Sequence, residues 1–182
     1  VYKRQVYAAD LDGTPLDPAA FSHNRFPFTT EPGTHEITVT ALCRYSHSGE
    51  GLHRFVDPAD GKVYLYTQFE IADARRMYAD FEQPDQKMTF ELQVIAPTGW
   101  TIVSNSPAPE PTEGPWEGMS RWSFEPTLPI STYLTALVAG EYHVDHGTIH
   151  TASGEIDADI LCRQSITEYL SLIHISEPTR PY

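Results

Sequence analysis

Lys62 to Glu70 reads KVYLYTQFE. Aromatic and β-branched residues dominate it, the types that suit a pleated surface. Side chains alternate between the two faces of a strand, so Gln68 and Glu70, two apart, share one face. The rest of the chain repeats the same period of two rather than 3.6. Upstream, His35 to Tyr45 reads HEITVTALCRY and puts Ile37, Val39, Ala41 and Cys43 on one face, with Thr38, Thr40, Leu42 and Arg44 on the other. Cys43 is thus expected as a buried, inert thiol. Downstream, Met88–Ala96, Trp100–Ser104, Ser120–Phe124 and Thr132–Val138 read as further strands, and two late ones run through Ile149 and from Ile156 to Leu161.

Turn chemistry separates these runs. Asp12-Gly13, Glu31-Pro32-Gly33, Asp57-Pro58-Ala59-Asp60-Gly61 and Pro97-Thr98-Gly99 all punctuate strands. Pro107 to Gly118 reads as a protruding hairpin loop between the Thr101 and Arg121 strands, with a linker as the alternative. Only Ala72 to Phe81 has a helical look, and Ile166 to Leu170 could begin another helix. Short strands with regular turn signals predict an all-β chain, an antiparallel saddle-shaped sheet or β-sandwich.

Composition narrows the function classes. The 182 residues carry a net charge of −13 with 40% hydrophobic and 12% aromatic residues. That content can fill a core, which argues against wholesale disorder. No stretch approaches the ~20 apolar residues that span a bilayer, so no membrane partner is expected. The acidic balance opposes binding to a phosphate backbone, so no nucleic-acid partner is expected either. Two cysteines, Cys43 and Cys162, make no disulfide framework, and no CxxC suggests a zinc ribbon.

The two ends read differently from the middle. VYKRQ at residues 1–5 back-translates to a codon run resembling the mosaic end of a sequencing-library transposon. LSLIHISEPTRPY at 170–182 resembles its reverse complement followed by adaptor. The expectation is a chain whose own residues are 6–169, flanked by two adaptor-derived segments that are set aside from fold reasoning. Without Lys3, Arg4, Arg180 and Glu177 the net charge becomes −15.

The densest chemistry lies in Tyr64 to Asp85, which holds Gln68, Glu70, Asp73, Arg75, Arg76, Asp80, Glu82 and Asp85. A carboxylate accepts from an ammonium, and a neighbouring amide adds directional hydrogen bonds. Glu70 and Gln68 together could therefore grip a cationic group. The plainer alternative is a polar strand end with Glu70 paired to Arg75 or Arg76. Other signals are weaker. His143, His146 and His150 do not converge as metal ligands. Asp57, Asp60 and Gly61 lack the spacing of a calcium loop and fit a hairpin turn. Trp116 could contact a neighbouring domain or pack on its own sheet.

The run TQFEIADARRMYADFEQPD, Thr67 to Asp85, resembles the signature of the aminopeptidase N family of zinc metallopeptidases. That family has a Gln-x-Glu element on its N-terminal β-domain, then an Ala-Arg-Arg stretch and an aromatic-Asp/Glu-x-Pro turn. GEGLHRFVDPADGKVYLYTQFE at Gly49–Glu70, WTIVSNSP at Trp100–Pro107 and STYLTALVAGEY at Ser131–Tyr142 are similar to the same domain, in the same order. The resemblance covers nearly all of residues 6–169. It implies a β-domain capping a thermolysin-like catalytic domain, with Glu70 binding the free α-ammonium of a peptide substrate. Gln68 would line the pocket for the first side chain and help fix the scissile peptide. The implied parent is a metalloaminopeptidase that removes residues from peptide N-termini, with bacterial cytoplasm as its expected location. Zinc is implied as its cofactor.

The sequence departs from that whole-protein pattern. Zinc peptidases of this class need HExxH on a helix plus a downstream Glu, and no HExxH or GxMEN occurs in this chain. The zinc ligands are accordingly expected outside it, and the chain alone is expected to be inactive, with no catalytic residue and no metal ligand. The family's Pro-Cys-Phe-Asp run stands here as Tyr78-Ala79-Asp80-Phe81-Glu82. A non-catalytic β-sandwich binding or scaffold module is the rival reading, and the residues beyond Tyr169 of an uninterrupted gene would separate the two.

Overall fold

A computed structural model describes residues 5–151 and 153–170. The two end segments set apart in the sequence fall mostly outside these. Of their described members, Gln5 opens the first strand and Leu170 is buried. The described residues are almost all strand and loop, the only other elements being short turns of 3-10 helix and one helical residue, Leu170. The chain divides into two compact units. One is built from residues up to His53 with Thr67–Met88 and Pro129–Thr135. The other is built from Arg54–Tyr66, Thr89–Leu128 and the residues from Ala136 on.

The first unit contains a three-stranded sheet of β1 (Gln5–Leu11), β2 (Thr14–Leu16) and β3 (Ile37–Leu42), in the order β2-β1-β3. Asp12 and Gly13 join β1 to β2 with φ of 53° and 76°. A two-residue hairpin turn of matching twist needs positive φ at both positions, which is why Asp-Gly signals it. β1 pairs antiparallel with both neighbours. The alternation expected in β3 is only partly expressed: Val39 and Cys43 are half-buried, while Ile37 and Ala41 are exposed. Cys43 is therefore not the fully buried thiol expected, and its Sγ–H donates to the Met77 carbonyl at 3.3 Å. Period two specifies a strand, but burial requires a layer to cover its apolar face.

The core of this unit lies under the segment after Gln68. Phe69, Ala74 and Thr132 are almost wholly buried. Ala72 to Phe81 is not the short helix expected; it contains one 3-10 turn, Ala74–Arg76. Asp73, at the N-cap, gives the backbone no side-chain hydrogen bond, because its carboxylate lies 2.8 Å from Arg76 Nε. The expected strand from Thr132 starts later for a related reason. Thr132–Leu134 form a 3-10 turn. The Thr132 carbonyl accepts from Thr135 N–H at 3.2 Å and from the Tyr78 hydroxyl at 3.0 Å, so it is not available to a ladder.

The remaining strands are β4 (Gly51–Val56), β5 (Val63–Gln68), β6 (Gln93–Pro97), β7 (Thr101–Ser104), β8 (Thr112–Glu113), β9 (Met119–Ser123), β10 (Leu137–Gly140), β11 (Tyr142–Thr151) and β12 (Gly154–Arg163). They form sheets ordered β4-β5-β10-β7, β6-β9-β8 and β11-β12. β10 pairs antiparallel with both β5 and β7. The expected hairpin between the Thr101 and Arg121 strands is therefore replaced by another pairing. β7 belongs to one sheet and β9 to another, and the long proline-rich loop holds β8, which pairs with β9 through Thr112↔Arg121 and Glu113↔Ser120. The strand expected from Met88 begins only at Gln93. Before it, Phe90 and Leu92 hydrogen-bond to the Phe124–Thr127 segment without a regular ladder. Trp116 stays 65% exposed, so it does not pack on its own sheet.

Tyr64, Leu65, Ile102, Trp122, Phe124, Leu137 and Ala139 fill the core of the second unit. The Tyr64 and Tyr142 rings meet edge to face with centroids 4.9 Å apart. The Asp57–Gly61 segment is a hairpin turn, closed by Gly61 N–H donating to the Asp57 carbonyl at 2.8 Å. Buried Asp57 then reaches across the unit, accepting from the Ser165 hydroxyl at 2.5 Å and from Arg163 at 2.9 Å. The Arg163 guanidinium lies 5.0 Å from the Phe55 ring centre, a cation–π distance. Among the described residues no helix is long and apolar enough to cross a membrane.

Candidate functional site

Gln68 is the last residue of β5, and Glu70 opens the turn that follows. Strand alternation carries through this junction: Gln68 and Glu70 are exposed, while Phe69 between them is 2% exposed. The buried ring is the anchor for both polar neighbours. It packs edge to face on Tyr78, centroids 6.1 Å apart and planes at 88°. Such aromatic pairs contribute about 1 kcal/mol beyond the area they bury. Tyr78 is fixed in turn, its hydroxyl donating to the Thr132 carbonyl and lying 2.7 Å from Thr135 Oγ1. Burial pushes the Tyr78 phenol up to about 12, so it stays a neutral donor at physiological pH. Backbone closes the turn, with Asp73 N–H donating to the Phe69 carbonyl at 3.0 Å.

The head groups of Gln68 and Glu70 make no hydrogen bond or ion pair among the described residues. Pairing of Glu70 with Arg75 or Arg76, the plainer alternative, is not what the structure holds. Arg75 Nε lies 3.0 Å from Glu82 Oε2. Arg76 reaches Asp73 Oδ1 at 2.8 Å through Nε and Glu50 Oε2 at 3.3 Å through its terminal nitrogen. The strand end thus presents an amide and a carboxylate, both exposed and both uncommitted. Chemically that pair suits a ligand with a positive charge and several N–H donors.

The supporting residues were less legible in the sequence than the site pair. Tyr78 supports Phe69 through packing and a hydrogen bond that reaches across 54 residues to Thr132. The Asp73–Arg76 spacing of three was a readable ion-pair signal. The Arg75–Glu82 pair was not, because it depends on how the loop returns.

Other candidate chemistry does not assemble. His143 and His146 are three apart on β11 and so take opposite faces, and His146 Nδ1 sits 2.7 Å from Asp159 Oδ1 across the ribbon. The side chain of His150 lies outside the described residues. Among the described residues no three His, Cys, Asp or Glu side chains converge to hold a metal ion. The described residues do not fit a zinc site.

Architecture and sequence pattern together define an all-β chain of antiparallel sheets, with an amide and a carboxylate exposed at the end of β5. Residues 19–134 match the family described as the peptidase M1 N-terminal domain. The chain is 48% identical to an aminopeptidase N from Streptomyces lividans over 177 residues, which is 96% of this chain and 20% of that protein. It is 38% identical to an aminopeptidase N from Acetobacter pasteurianus, over 69% of this chain and 36% of the relative. A crystal structure of Legionella pneumophila aminopeptidase A in complex with aspartic acid superposes with a TM-score of 0.74 at 19% identity, over 91% of this chain and 19% of that one. At that identity the likeness supports the fold alone. The chain belongs to the peptidase M1 N-terminal domain family. It spans about a fifth of the length of the Streptomyces relative.

Proposed function

We propose that this chain is the substrate-recognition domain of a zinc-dependent aminopeptidase that removes residues from peptide N-termini. The observation that carries the reading is the pair Gln68 and Glu70, exposed and, among the described residues, without a hydrogen-bond or ion-pair partner for either head group, on either side of the buried Phe69. Glu70 would bind the α-ammonium of the peptide. Gln68 would flank the first side chain and donate to, or accept from, the first peptide unit. A fixed carboxylate selects a chain end because an internal amide nitrogen carries no positive charge. Fixing the chain end also sets where the first peptide bond lies, which is the contribution of positioning to catalysis.

The chain would work against a thermolysin-like catalytic domain that supplies the zinc ligands and the reacting water. Peptides with a free N-terminus are the substrate class, and neither nucleic acid nor membrane is a partner. Cys43 and Cys162 are thiols rather than a disulfide, which is compatible with a reducing compartment and with a bacterial cytoplasmic enzyme.

The test is kinetic, in the enzyme assembled from the uninterrupted gene. Glu70→Gln is expected to lower kcat/KM for aminoacyl-anilides about 100-fold, the scale of removing one partner from a desolvated charge pair. Unchanged kinetics would remove the ammonium role from Glu70. Absence of an HExxH motif with a downstream Glu in that gene would turn the reading toward a binding module instead.

A further inference from the structure

Glu70 sits in a segment that also contains two cations five and six residues away, on a chain that turns back at once. The Glu70–Asp73 turn and the 3-10 turn Ala74–Arg76 keep Arg75 and Arg76 local to it. An unpaired arginine at such range would compete with any ammonium for the carboxylate. Both arginines are instead committed, and each commitment has its own structural support.

Arg75 faces Glu82, whose side chain is only 12% exposed. Glu82 also accepts from the Arg75 backbone N–H through Oε1 at 3.3 Å, so it holds that residue at two points. Its φ of 49° places it in the left-handed region, which a glutamate adopts only when its surroundings over-determine it. Arg76 is shared between Asp73 and Glu50. Its stem crosses Gly51, where a Cβ would stand 2.9 Å from Arg76 Cδ. A glycine there leaves room for the arginine to lie in its paired position.

We propose that Glu82, Asp73 and Glu50 are counter-ions that hold Arg75 and Arg76 away from Glu70, leaving its charge for the ligand ammonium. They are positioning residues, acting on the ligand through the arginines. The inference rests on the ammonium reading of Glu70 given above and assigns that site its electrostatic protection.

The experiment uses the full 182-residue chain, isotope-labelled for NMR, with tri-alanine and N-acetyl-tri-alanine as probes. Tri-alanine is expected to shift the Gln68, Phe69 and Glu70 amide resonances, and the acetylated peptide to leave them in place. Glu82→Gln is expected to weaken the tri-alanine titration about threefold, the scale of an exposed ion-pair competition. Adding Arg75→Gln to that variant should restore it, which loss of packing would not do. Independently of any peptide, Glu70→Gln should move the Arg75 Nε–H resonance only when Glu82→Gln is also present. Glu50→Gln, at an exposed position, repeats the test for Arg76 should the Glu82 variant fail to fold.

Unchanged affinity and unchanged Nε–H coupling in Glu82→Gln would overturn the counter-ion role, as would failure of Arg75→Gln to restore binding. A wild-type chain that ignores tri-alanine, together with unchanged kinetics of Glu70→Gln in the assembled enzyme, would overturn the ammonium reading itself, and the Nε–H coupling would still decide where the arginines go.

Discussion

The Phe69 ring meets the Tyr78 ring edge to face, with centroids 6.1 Å apart and planes at 88°. This contact fixes the residue between Gln68 and Glu70, and with it the spacing of the two exposed head groups. The strand ladder ends at Gln68, so Glu70 takes its place from the buried ring before it and the turn after it.

Phe69→Ala should therefore cost about 3–4 kcal/mol of stability, the usual price of emptying a buried aromatic site. Chemical denaturation of the chain measures it. Phe69→Leu should recover most of the loss, because it refills much of the volume. A cost below about 1 kcal/mol for the alanine variant would show that the ring is not the anchor.

The Asp12–His35 pair makes one part of the fold sensitive to pH. His35 Nδ1 lies 2.7 Å from Asp12 Oδ2 and Nε2 lies 2.7 Å from the Glu31 carbonyl. Both ring nitrogens face acceptors, so the imidazolium can donate twice. The hydrogen bond to Asp12, then the one to the Glu31 carbonyl, hold His35 above its ordinary 6.5. A raised folded pKa contributes stability that is complete below 6.5 and is lost as pH rises through the raised value. The Tm of the wild type should fall over that window, while His35→Gln should lack this component. NMR titration of the His35 ring checks the assignment.

Asp57 acts on the acid side. The Ser165 hydroxyl, the Ala59 N–H and Arg163 together hold its carboxyl below the ordinary 3.8. The Glu36 N–H, followed by His35, has the same effect on Asp12. Depressed carboxyl pKa values contribute stability that is present above 3.8 and is lost as pH falls through the folded values. Asp57→Asn should lower the Tm by several degrees at pH 6 and should narrow the gap to wild type below pH 3.5. A constant gap across the titration would contradict the linkage.

Gly140 lies close against the β5 backbone. Its φ is 150°, and a Cβ there would stand 2.5 Å from the Val63 carbonyl oxygen and 3.1 Å from Tyr64 Cα. Gly140→Ala has to move backbone rather than a flexible side chain, and should destabilise the chain by about 2 kcal/mol. Thermal unfolding measures this, and the surface variant Gly118→Ala controls for positive φ, since no atom lies near its added Cβ.

The all-β class was legible because period two and turn residues are local properties. Asp12-Gly13 made its hairpin, and the DPADG turn closed as read. The departures arose where a distant partner decided the outcome. Thr132 gave its carbonyl to Tyr78 and Thr135, so the strand expected there became a 3-10 turn. Asp73 gave its carboxylate to Arg76, so the expected helix kept only one turn. Ile37 and Ala41 alternate as a buried face would, yet remain exposed.

The site divides along the same line. Spacing alone put Gln68 and Glu70 on one face, because a strand alternates whatever surrounds it. The resemblance of Thr67–Asp85 to the aminopeptidase N signature is likewise a property of the residues themselves, and the family match over residues 19–134 agrees with it. Whether Glu70 was committed to an arginine could not be read from spacing, since Arg75 and Arg76 had several carboxylates within reach. Only the tertiary structure decided it, by returning Glu82 and Glu50 to the two cations and leaving Glu70 without an ion pair among the described residues. Short-range geometry is written in the order of residues, whereas the choice among competing charges depends on which of them folding brings closest.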